Sequence, residues 1–320
     1  MNPVFIGIDV SKDYLDAVVR NSDEPRRRFS NDTAGIEALV EWAKRISPER
    51  IAFESTGHYQ KSAVGALLTA MLPAVVVNAR QVRDYAKGIG QLAKTDAIDA
   101  AVLARFAEAV ETRVRPLPAP EIIQFQQLHD RRSQLVGMLA AEKNHRHAGG
   151  PPQVLQSIDA LISHLENQIA DLEQRMDKII EESEAFQARN EILRSITGIG
   201  PQISRTLLAH LPELGQGTRQ QITALVGLAP FNDDSGKKQG VRHIVGGRRK
   251  VRLGLYQAAV VAVRRCPTMK AFYANLKSRE KASKVALVAV ARKILVMAHA
   301  MIREMKKYEP RANSDCPKTA

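Results

Sequence analysis

Cysteine and aromatic residues are scarce in this chain. Its 320 residues include two cysteines and one tryptophan, and aromatic residues make up 5% of the total. Cys266 and Cys316 lie far apart and have no companion histidine or cysteine at ligand spacing, which argues against a disulfide framework and against a zinc site. The sequence therefore predicts a protein of a reduced, cytoplasmic compartment.

The chain also lacks the sequence features of secretion and of membrane insertion. The N-terminus has no positive segment followed by an apolar stretch, so we expect no signal peptide. The most apolar late segment, residues 285–301, is interrupted by Arg292 and Lys293 and is therefore predicted to be a core helix rather than a membrane span.

Acidic residues are too few to balance the basic ones. The chain has 47 Lys and Arg against 34 Asp and Glu, a formal net charge of +13 and a pI near 9.9. Residues 191–308 hold 22 Lys and Arg but only 6 Asp and Glu, and this surplus exceeds that of the whole chain. The C-terminal half is thus predicted to bind nucleic acid. Binding to anionic lipid is the alternative, but no basic amphipathic helix or lipidation motif supports it.

Four of the acidic residues have an informative placement. Asp9 and Glu54 each close a short apolar run that is typical of a buried strand, and Asp96 and Asp99 share one face of a predicted helix. Carboxylates that converge from separate elements suit Mg²⁺, and such ions can clamp the attacking and leaving oxygens of a phosphoryl transfer. The alternative is that these residues are turn formers, helix caps or a solvated helix face.

The order of predicted elements favours a specific fold. A meander over residues 4–19 with a short edge strand at 26–29 precedes a helix at 34–45 and a strand at 50–53. A helix at 59–71, a strand at 74–77, a segment rich in Lys and Arg and the helix of Asp96 and Asp99 follow. The order βββαβαβα is that of a ribonuclease H-like α/β domain, and the remainder of the chain is predicted to be mostly helical.

A helical connector is predicted after Pro116, Pro118 and Pro120. Helices at residues 122–147 and 154–186 flank a break at 149–152. The second helix has a spacing typical of a coiled-coil seam, which predicts self-association. The seam consists of Ile158, Leu161, Leu165, Gln168, Leu172, Met176 and Ile179. The alternative is an intramolecular hairpin with the first helix as the partner.

Two candidate nucleic-acid motifs follow the connector. Residues 192–211 are predicted to form a helix-hairpin-helix, in which Gly198 and Gly200 let backbone N–H groups approach a phosphate, although a glycine junction without a ligand is the alternative. A predicted loop at 232–236 then opens a cationic strip able to hold a scissile phosphate. The strip contains Lys237, Lys238, Arg242, His243, Arg248, Arg249, Lys250 and Arg252.

The blocks GIDVSK, FESTGHY, KTDAIDA and DDSGKKQGVRHIVGGRRKVR, in this order, resemble the DEDD transposases of the insertion-sequence one-ten (one-one-one-one group) family, which includes Piv-type DNA invertases and RNA-guided bridge recombinases. The resemblance implies a RuvC-like domain with Asp9, Glu54, Asp96 and Asp99 as the Mg²⁺-binding tetrad, and it makes Ser235 the nucleophile that attacks DNA. It also implies a bacterial, nucleoid-associated protein, a guide RNA from the element's ends, and a homo-oligomer in which two dimers form a tetramer.

The predicted division of the chain has four parts. Residues 1–115 form the catalytic domain, 116–190 the coiled-coil connector, 191–308 the helix-hairpin-helix and serine-containing domain, and 309–320 a disordered tail. The predicted activity is DNA cutting and rejoining by transesterification.

Three other functions fit parts of the sequence. A RuvC-like nuclease would use water in place of Ser235, and a non-enzymatic binding protein would have a degenerate site. An actin-like ATPase is suggested by GIDVS alone, and the sequence has no later Asp-x-Gly-Gly phosphate loop to support it.

Overall fold

The computed structural model describes residues 3–55, 57, 59–91, 96–112, 114, 119–231, 240 and 242–309, with only the backbone described for residues 96 and 97. The chain divides into two compact units, Met1–Pro118 and Ala119–Ala320. The predicted four-part division stays a prediction, and the predicted tail lies largely outside the described residues.

The first unit has the predicted order of strands and helices with one helix added. In chain order its elements are β1 (Phe5–Val10), β2 (Tyr14–Arg20), β3 (Arg27–Ser30), α1 (Thr33–Ile46), β4 (Arg50–Glu54), α2 (Lys61–Thr69), β5 (Ala74–Val77), α3 (Ala79–Gly88) and α4 (Asp96–Ala109). Helix α3 occupies the segment that was predicted only to be rich in Lys and Arg. It buries just Val82 and Ala86, a stripe too narrow to stand out in the sequence.

The five strands form one mixed sheet in the order β3-β2-β1-β4-β5. Strands β1, β2 and β3 are antiparallel, whereas β4 and β5 run parallel to β1 and to each other. Alternation along β1 divides its side chains between two cores. Ile6, Ile8 and Val10 pack with α1 and α2, and Phe5 packs with α3 and α4. Asp9 continues the second set and so lies on the α4 face.

The second unit is mostly helical. Its elements are α5 (Pro120–Ala148), α6 (Pro152–Glu182), α7 (Glu184–Ser195), α8 (Pro201–His210), α9 (Arg219–Val226), β6 (Pro230–Phe231), β7 (His243–Ile244), α10 (Arg249–Arg265), α11 (Pro267–Ser278) and α12 (Ser283–Glu304). Strands β6 and β7 pair antiparallel, with Phe231 opposite His243. A single core includes residues from α5 to α12.

Helices α5 and α6 pack against each other as a hairpin. Leu165, Met176 and Ile180 are buried. Leu161 and Gln168 of the predicted seam are exposed in this single chain, and Ile169 is the half-buried residue beside Gln168. An intramolecular partner therefore covers much of the predicted seam. Self-association through it stays a prediction.

Helix α12 is the one helix among the described residues that is long and apolar enough to cross a membrane. It contributes Val290, Ala291, Ile294, Leu295 and Ala298 to the core of the second unit, and each of them is fully buried. This burial confirms the prediction of a core helix for residues 285–301.

Candidate metal centre and nucleic-acid surface

Asp9 and Glu54 come together at one edge of the sheet. Parallel pairing of β1 with β4 places Ile8 beside Phe53, and Asp9 and Glu54 are the next residues of the two strands. Because Ala52 belongs to the core on the α4 face, alternation along β4 puts Glu54 on that same face. The register of two strands thus brings two carboxylates to one place, as the sequence predicted.

Helix α4 reaches this face because β1 carries a glycine there. A Cβ atom on Gly7 would lie 2.1 Å from the carbonyl oxygen of Ala100 and 2.3 Å from the backbone nitrogen of Ala104. At the other end of the helix, the Arg50 guanidinium donates to the carbonyl oxygen of Ala107 at 2.6 Å. The close contact and the hydrogen bond fix α4 against the strand that carries Asp9.

Glu54 and Asp99 line one cavity of about 230 Å³. The cavity lies between β4, α3 and α4, and its other lining residues are Ala79, Val82, Arg83, Ala86 and Val102. Asp99 and Glu54 are both half-buried. Two of the predicted tetrad residues therefore face a common space that can admit a small ion and part of a substrate.

Asp9 and Asp96 are the other two residues of the predicted tetrad. Asp9 lies on the α4 face of the neighbouring strand, and Asp96 is the first residue of α4, with its side chain outside the described part. Asp96 and Asp99 are one helical turn apart, so their Cα atoms lie on one side of α4. A set made only of carboxylate oxygens fits a hard divalent cation better than a soft one.

Arg83 is a charged residue of the cavity that the sequence did not single out. It is exposed on α3, and no carboxylate of the described residues pairs with it. A basic residue on a short basic helix gives no signal by itself. Arg83 could have been predicted as a site residue only if α3 had been predicted to line the cavity together with α4.

Asp16 is a further acidic residue on this face that was not predicted. It lies opposite Asp9 in the β1–β2 pair and is 5% exposed. Arg26 and Arg28 donate to its carboxylate at 2.6 and 2.9 Å. Burial alone would raise the pKa of Asp16, but the hydrogen bonds from Arg28 and Arg26 outweigh it and hold the pKa below the ordinary value. Asp16 thus stays ionised with its charge already neutralised.

The segment predicted to form a helix-hairpin-helix, residues 192–211, contains the end of α7, the turn after it and α8. Gly198 has φ of 101° and packs so closely on α10 that an added Cβ would lie 2.4 Å from the carbonyl oxygen of Ala258. Gly200 is the N-cap of α8 and has open space around it. The close packing on α10 accounts for a glycine at position 198. Gly200 is the glycine that an approaching phosphate could reach.

The predicted cationic strip falls into three groups. Lys237 and Lys238, like the preceding Ser235, lie outside the described residues. Arg242, His243 and Arg249 are exposed.

The third group already has internal partners. Arg248 makes two hydrogen bonds of 2.6 Å to Glu213, Lys250 pairs with Asp130, and Arg252 donates to the carbonyl oxygen of Gly246. A phosphate would have to compete with these contacts.

A buried polar network joins α5 to α8. Thr206 donates to a backbone carbonyl, so its oxygen accepts from His129 Nε2 at 3.1 Å. His129 Nδ1 then accepts from His210 Nε2 at 3.0 Å, and Asp130 lies 3.2 Å from the same nitrogen. These three side chains could hold a metal ion, but the ammonium group of Lys250 already balances Asp130. His129, His210 and Asp130 therefore already have hydrogen-bond or ion-pair partners within the protein.

The charges of this network follow from its burial. Burial, with a smaller contribution from His210, lowers the pKa of His129 to about 4. Burial would raise the pKa of Asp130, but hydrogen bonds from His210 and Lys250 lower it well below its usual range. At neutral pH the network thus contains a neutral His129 and an ionised Asp130.

Known protein families match both units. The family model for the DEDD transposase of the IS110 group matches residues 6–149, and the model for the transposase of the IS116/IS110/IS902 family matches residues 190–274. The first match contains all four carboxylates, and the second contains Ser235 and the cationic strip.

Some relatives match nearly the whole length of this chain. The pilin gene-inverting protein of Moraxella bovis is 26% identical over 323 residues, covering 97% of this chain and 99% of that protein. An uncharacterized 42 kDa protein of insertion element IS900 from Mycobacterium paratuberculosis is 25% identical over 393 residues, covering 96% and 98%. The chain belongs to the IS110 family of DEDD transposases.

Proposed function

We propose that this protein is the transposase of an insertion sequence, which cuts and rejoins DNA through a carboxylate-bound metal in its first unit and a serine in its second. The observation that carries the proposal is the cavity shared by Glu54 and Asp99 beside the end of β1. The strand order and the mixed pairing fit a ribonuclease H-like domain of the RuvC type. The proposed location is the bacterial cytoplasm, at the nucleoid.

Asp9, Glu54, Asp96 and Asp99 would hold Mg²⁺. When bound, Mg²⁺ lowers the pKa of an attacking hydroxyl and neutralises the charge that develops on the leaving oxygen. Arg83 lines the same cavity, where it would donate to a non-bridging oxygen of the phosphate and so orient it. The protein's own part is then to hold one phosphodiester against four carboxylates and a guanidinium.

Ser235 would be the nucleophile. Its hydroxyl oxygen attacks the scissile phosphorus, the hydroxyl proton passes to a base or to solvent, and the DNA oxygen leaves with the electron pair of the broken P–O bond. A hydroxyl of the second DNA strand then attacks the phosphoserine, and Ser235 leaves. One phosphodiester is exchanged for another, so the bond energy is conserved and ATP is not needed.

Partners follow from the same proposal. DNA of the element ends and of the target would be the substrate. A structured RNA transcribed from the element would guide the choice of site, and the basic surplus of residues 191–308 would serve both polymers. The active form would be a tetramer of two dimers, because strand exchange needs two DNA partners cut together.

The metal site is tested by single substitutions of its carboxylates. In a plasmid that carries the gene with its own flanking DNA, Asp99→Asn and Glu54→Gln should each lower cleavage more than about a hundredfold, since even loss of a residue that only supports a ligand costs 10- to 100-fold. Chelation of divalent ions should act equally. Glu111→Gln, an exposed carboxylate of the same unit, is the matched control. Full cleavage by Asp99→Asn would show that Asp99 is not a residue of the metal site.

Ser235 is tested by the covalent product it predicts. Stalled reactions of the wild-type protein should contain DNA attached to the protein, and Ser235→Ala should lose both the adduct and the recombined product while it still binds DNA. Unchanged cleavage by Ser235→Ala would favour the RuvC-like nuclease in which water attacks.

Mixing inactive variants tests whether the metal site and Ser235 that act on one phosphate come from one subunit or from two. If Asp99 of one subunit and Ser235 of another act on the same phosphate, a mixture of Asp99→Asn and Ser235→Ala proteins should recover about a quarter or less of the wild-type activity, as expected for random assembly of closed oligomers. Recovery of none would show that one chain completes its own site.

DNA inversion is the second candidate function. It is favoured by the Moraxella bovis relative, whose name describes inversion of a pilin gene and which matches 97% of this chain. The same cutting and rejoining would invert a segment between two sites on one molecule. A plasmid with two flanking sites in inverted orientation distinguishes the two functions, because inversion keeps the plasmid length whereas transposition adds DNA to a second molecule.

A further inference from the structure

The end of α10, together with α11 and most of α12, carries an excess of positive charge. Residues 261–303 contain ten Lys and Arg but one Glu. None of the ten pairs with a carboxylate in the part of the chain that the structure describes. The contrast with the start of α10 is sharp, because Arg248 and Lys250 there are paired with Glu213 and Asp130.

Part of this charge surrounds a cleft between α10 and α11. The cleft has a volume of about 630 Å³ and is open to solvent, and its lining residues are Val263, Arg264, Lys270, Tyr273, Ala274 and Lys277. The four residues from α11 follow the spacing i, i+3, i+4, i+7 and thus form one face of that helix. Arg264 is in the last turn of α10.

The three cations of the cleft have no carboxylate partner among the described residues. Arg264 and Lys270 are exposed. Lys277 donates to the carbonyl oxygen of Lys281 at 3.1 Å and to the hydroxyl of Ser283 at 3.3 Å, and both acceptors are neutral. Like charges gathered around one cleft repel each other, so an anionic ligand is favoured there.

An aromatic ring stands among these cations. Tyr273 is half-buried and packs against the core, and the small side chain of Ala274 follows it on the same face. Proteins that hold single-stranded nucleic acid combine a positive groove for the backbone with aromatic rings on which bases stack. A duplex offers the same phosphates but keeps its bases stacked on each other.

We propose that the cleft between α10 and α11 binds single-stranded nucleic acid, with Arg264, Lys270 and Lys277 contacting phosphates and Tyr273 stacking on a base. The proposal deepens the recombinase function proposed above and rests on it, since strand exchange and a guide RNA both present unpaired strands. Single-stranded RNA and single-stranded DNA share the chemistry that the cleft recognises.

The test measures oligonucleotide binding by the full-length protein in the presence of EDTA, so that cleavage does not interfere. The probes are fluorescent 12-residue oligo-dT, 12-residue oligo-U and a duplex of the same length. The variant Arg264→Gln/Lys270→Gln should reduce the slope of log K against log salt by about 1.4 for the single strands, at about 0.7 per lost phosphate contact. Arg303→Gln/Lys306→Gln removes the same charge outside the cleft and should change the slope less.

Tyr273 separates stacking from charge. Tyr273→Phe keeps the ring and should bind the single strands like the wild type. Tyr273→Ala should lower the affinity for single strands about 10-fold and change the affinity for the duplex little. If Tyr273→Ala unfolds, the exposed Arg264 and Lys270 still test the cleft. The preference between oligo-dT and oligo-U tells which polymer occupies it.

Each remaining outcome decides the question. The proposal is overturned if Tyr273→Ala weakens duplex and single-strand binding equally. It is also overturned if Arg264→Gln/Lys270→Gln binds single strands as well as the wild type does. Weakened oligonucleotide binding in that variant supports the cleft even if the wild-type protein cleaves no DNA from its own locus, in which case the recombinase function fails by itself. A wild-type protein that binds no single strand refutes the cleft directly.

Discussion

The two units of this protein deliver their charged residues in different ways. In the first unit, strand register and a close helix–strand contact bring Glu54 and Asp99 to one cavity, and Arg26 and Arg28 neutralise the nearby Asp16. In the second unit the charges lie on helix surfaces. Some hold the helices together, and others have no partner among the described residues. A charged residue placed by a sheet edge can thus be assigned from sequence more safely than one placed on a helix.

Arg205 is the most buried Lys or Arg among the described residues of the second unit, and it gives the largest expected effect on stability. It is 6% exposed and donates to Asp177 at 2.7 Å, with Glu173 at 3.5 Å from it. Arg205→Ala should lower the free energy of unfolding by about 3 kcal/mol, because charged hydrogen bonds and the packing of the side-chain stem are lost.

The exposed pair of Lys143 and Glu166 is the matched control for Arg205. Lys143→Ala should cost less than about 1 kcal/mol in urea denaturation. Equal effects of the two substitutions would contradict the assignment of Arg205 as a structural cation.

The buried histidine network predicts a pH dependence of nearly the same size. His129 has a pKa of about 4 in the folded protein and an ordinary value near 6.5 in the unfolded chain. Between these pH values the unfolded chain binds the proton more tightly, so this stabilisation is complete above about pH 6.5 and is lost as the pH falls towards 4. The loss should amount to about 3 kcal/mol at most.

Urea denaturation between pH 7 and pH 4.5 measures that loss. His129→Gln should flatten the pH dependence, whereas His164→Gln, an exposed histidine on α6, should leave it unchanged. The neighbouring Asp130, Lys250 and Arg132 also act on His129, so the comparison of slopes is more informative than either slope alone. An identical slope in the wild type and His129→Gln would refute the burial argument.

Gly7 tests the close packing on which the first unit depends. Gly7→Ala would place a Cβ 2.1 Å from the backbone of α4, so the helix must move. We expect a loss of about 1 to 3 kcal/mol in the free energy of unfolding and a loss of DNA cleavage, since Asp99 would move with the helix.

The control for Gly7 is a glycine with room around it. Gly65 lies in α2 and has no atom within 4 Å of an added Cβ. Gly65→Ala should stabilise the unit by about 0.5 to 1 kcal/mol and leave cleavage intact. If Gly7→Ala kept both stability and activity, the position of Asp99 would not depend on this contact.

Sequence predicted the first unit well because its signals are local. The short apolar runs that end in Asp9 and Glu54 identify buried strands, and strand register then fixes the neighbours of each carboxylate. The missed parts depend on tertiary contacts. Arg83 gains its surroundings only when α3 packs beside the sheet, and Asp16 only when β3 pairs with β2. The half-buried face of α6 is set by its packing on α5, which covers Ile169 rather than Gln168.

The sequence predicted the excess of basic residues in the second unit, but not which of them pair with a carboxylate within the protein. Arg248 and Arg249 are adjacent in sequence and were assigned the same role, yet Arg248 pairs with Glu213 whereas Arg249 is exposed with no partner among the described residues. Nothing in the local sequence distinguishes them, because Glu213 is 35 residues away from Arg248. The pair therefore offers the finest test of the difference between structural and ligand-binding cations.

We expect the two arginines to give opposite results in two measurements. Arg248→Gln should lower the free energy of unfolding by about 1 to 2 kcal/mol, because a charge-assisted pair is lost, and should leave the salt dependence of duplex binding unchanged. Arg249→Gln should leave stability within about 0.5 kcal/mol and reduce the slope of log K against log salt by about 0.9, the value for one phosphate contact on a duplex. A reduced slope in Arg248→Gln with no change in stability would mean that the guanidinium leaves Glu213 for a phosphate. The internal contacts of the cationic strip would then be a resting arrangement that DNA replaces.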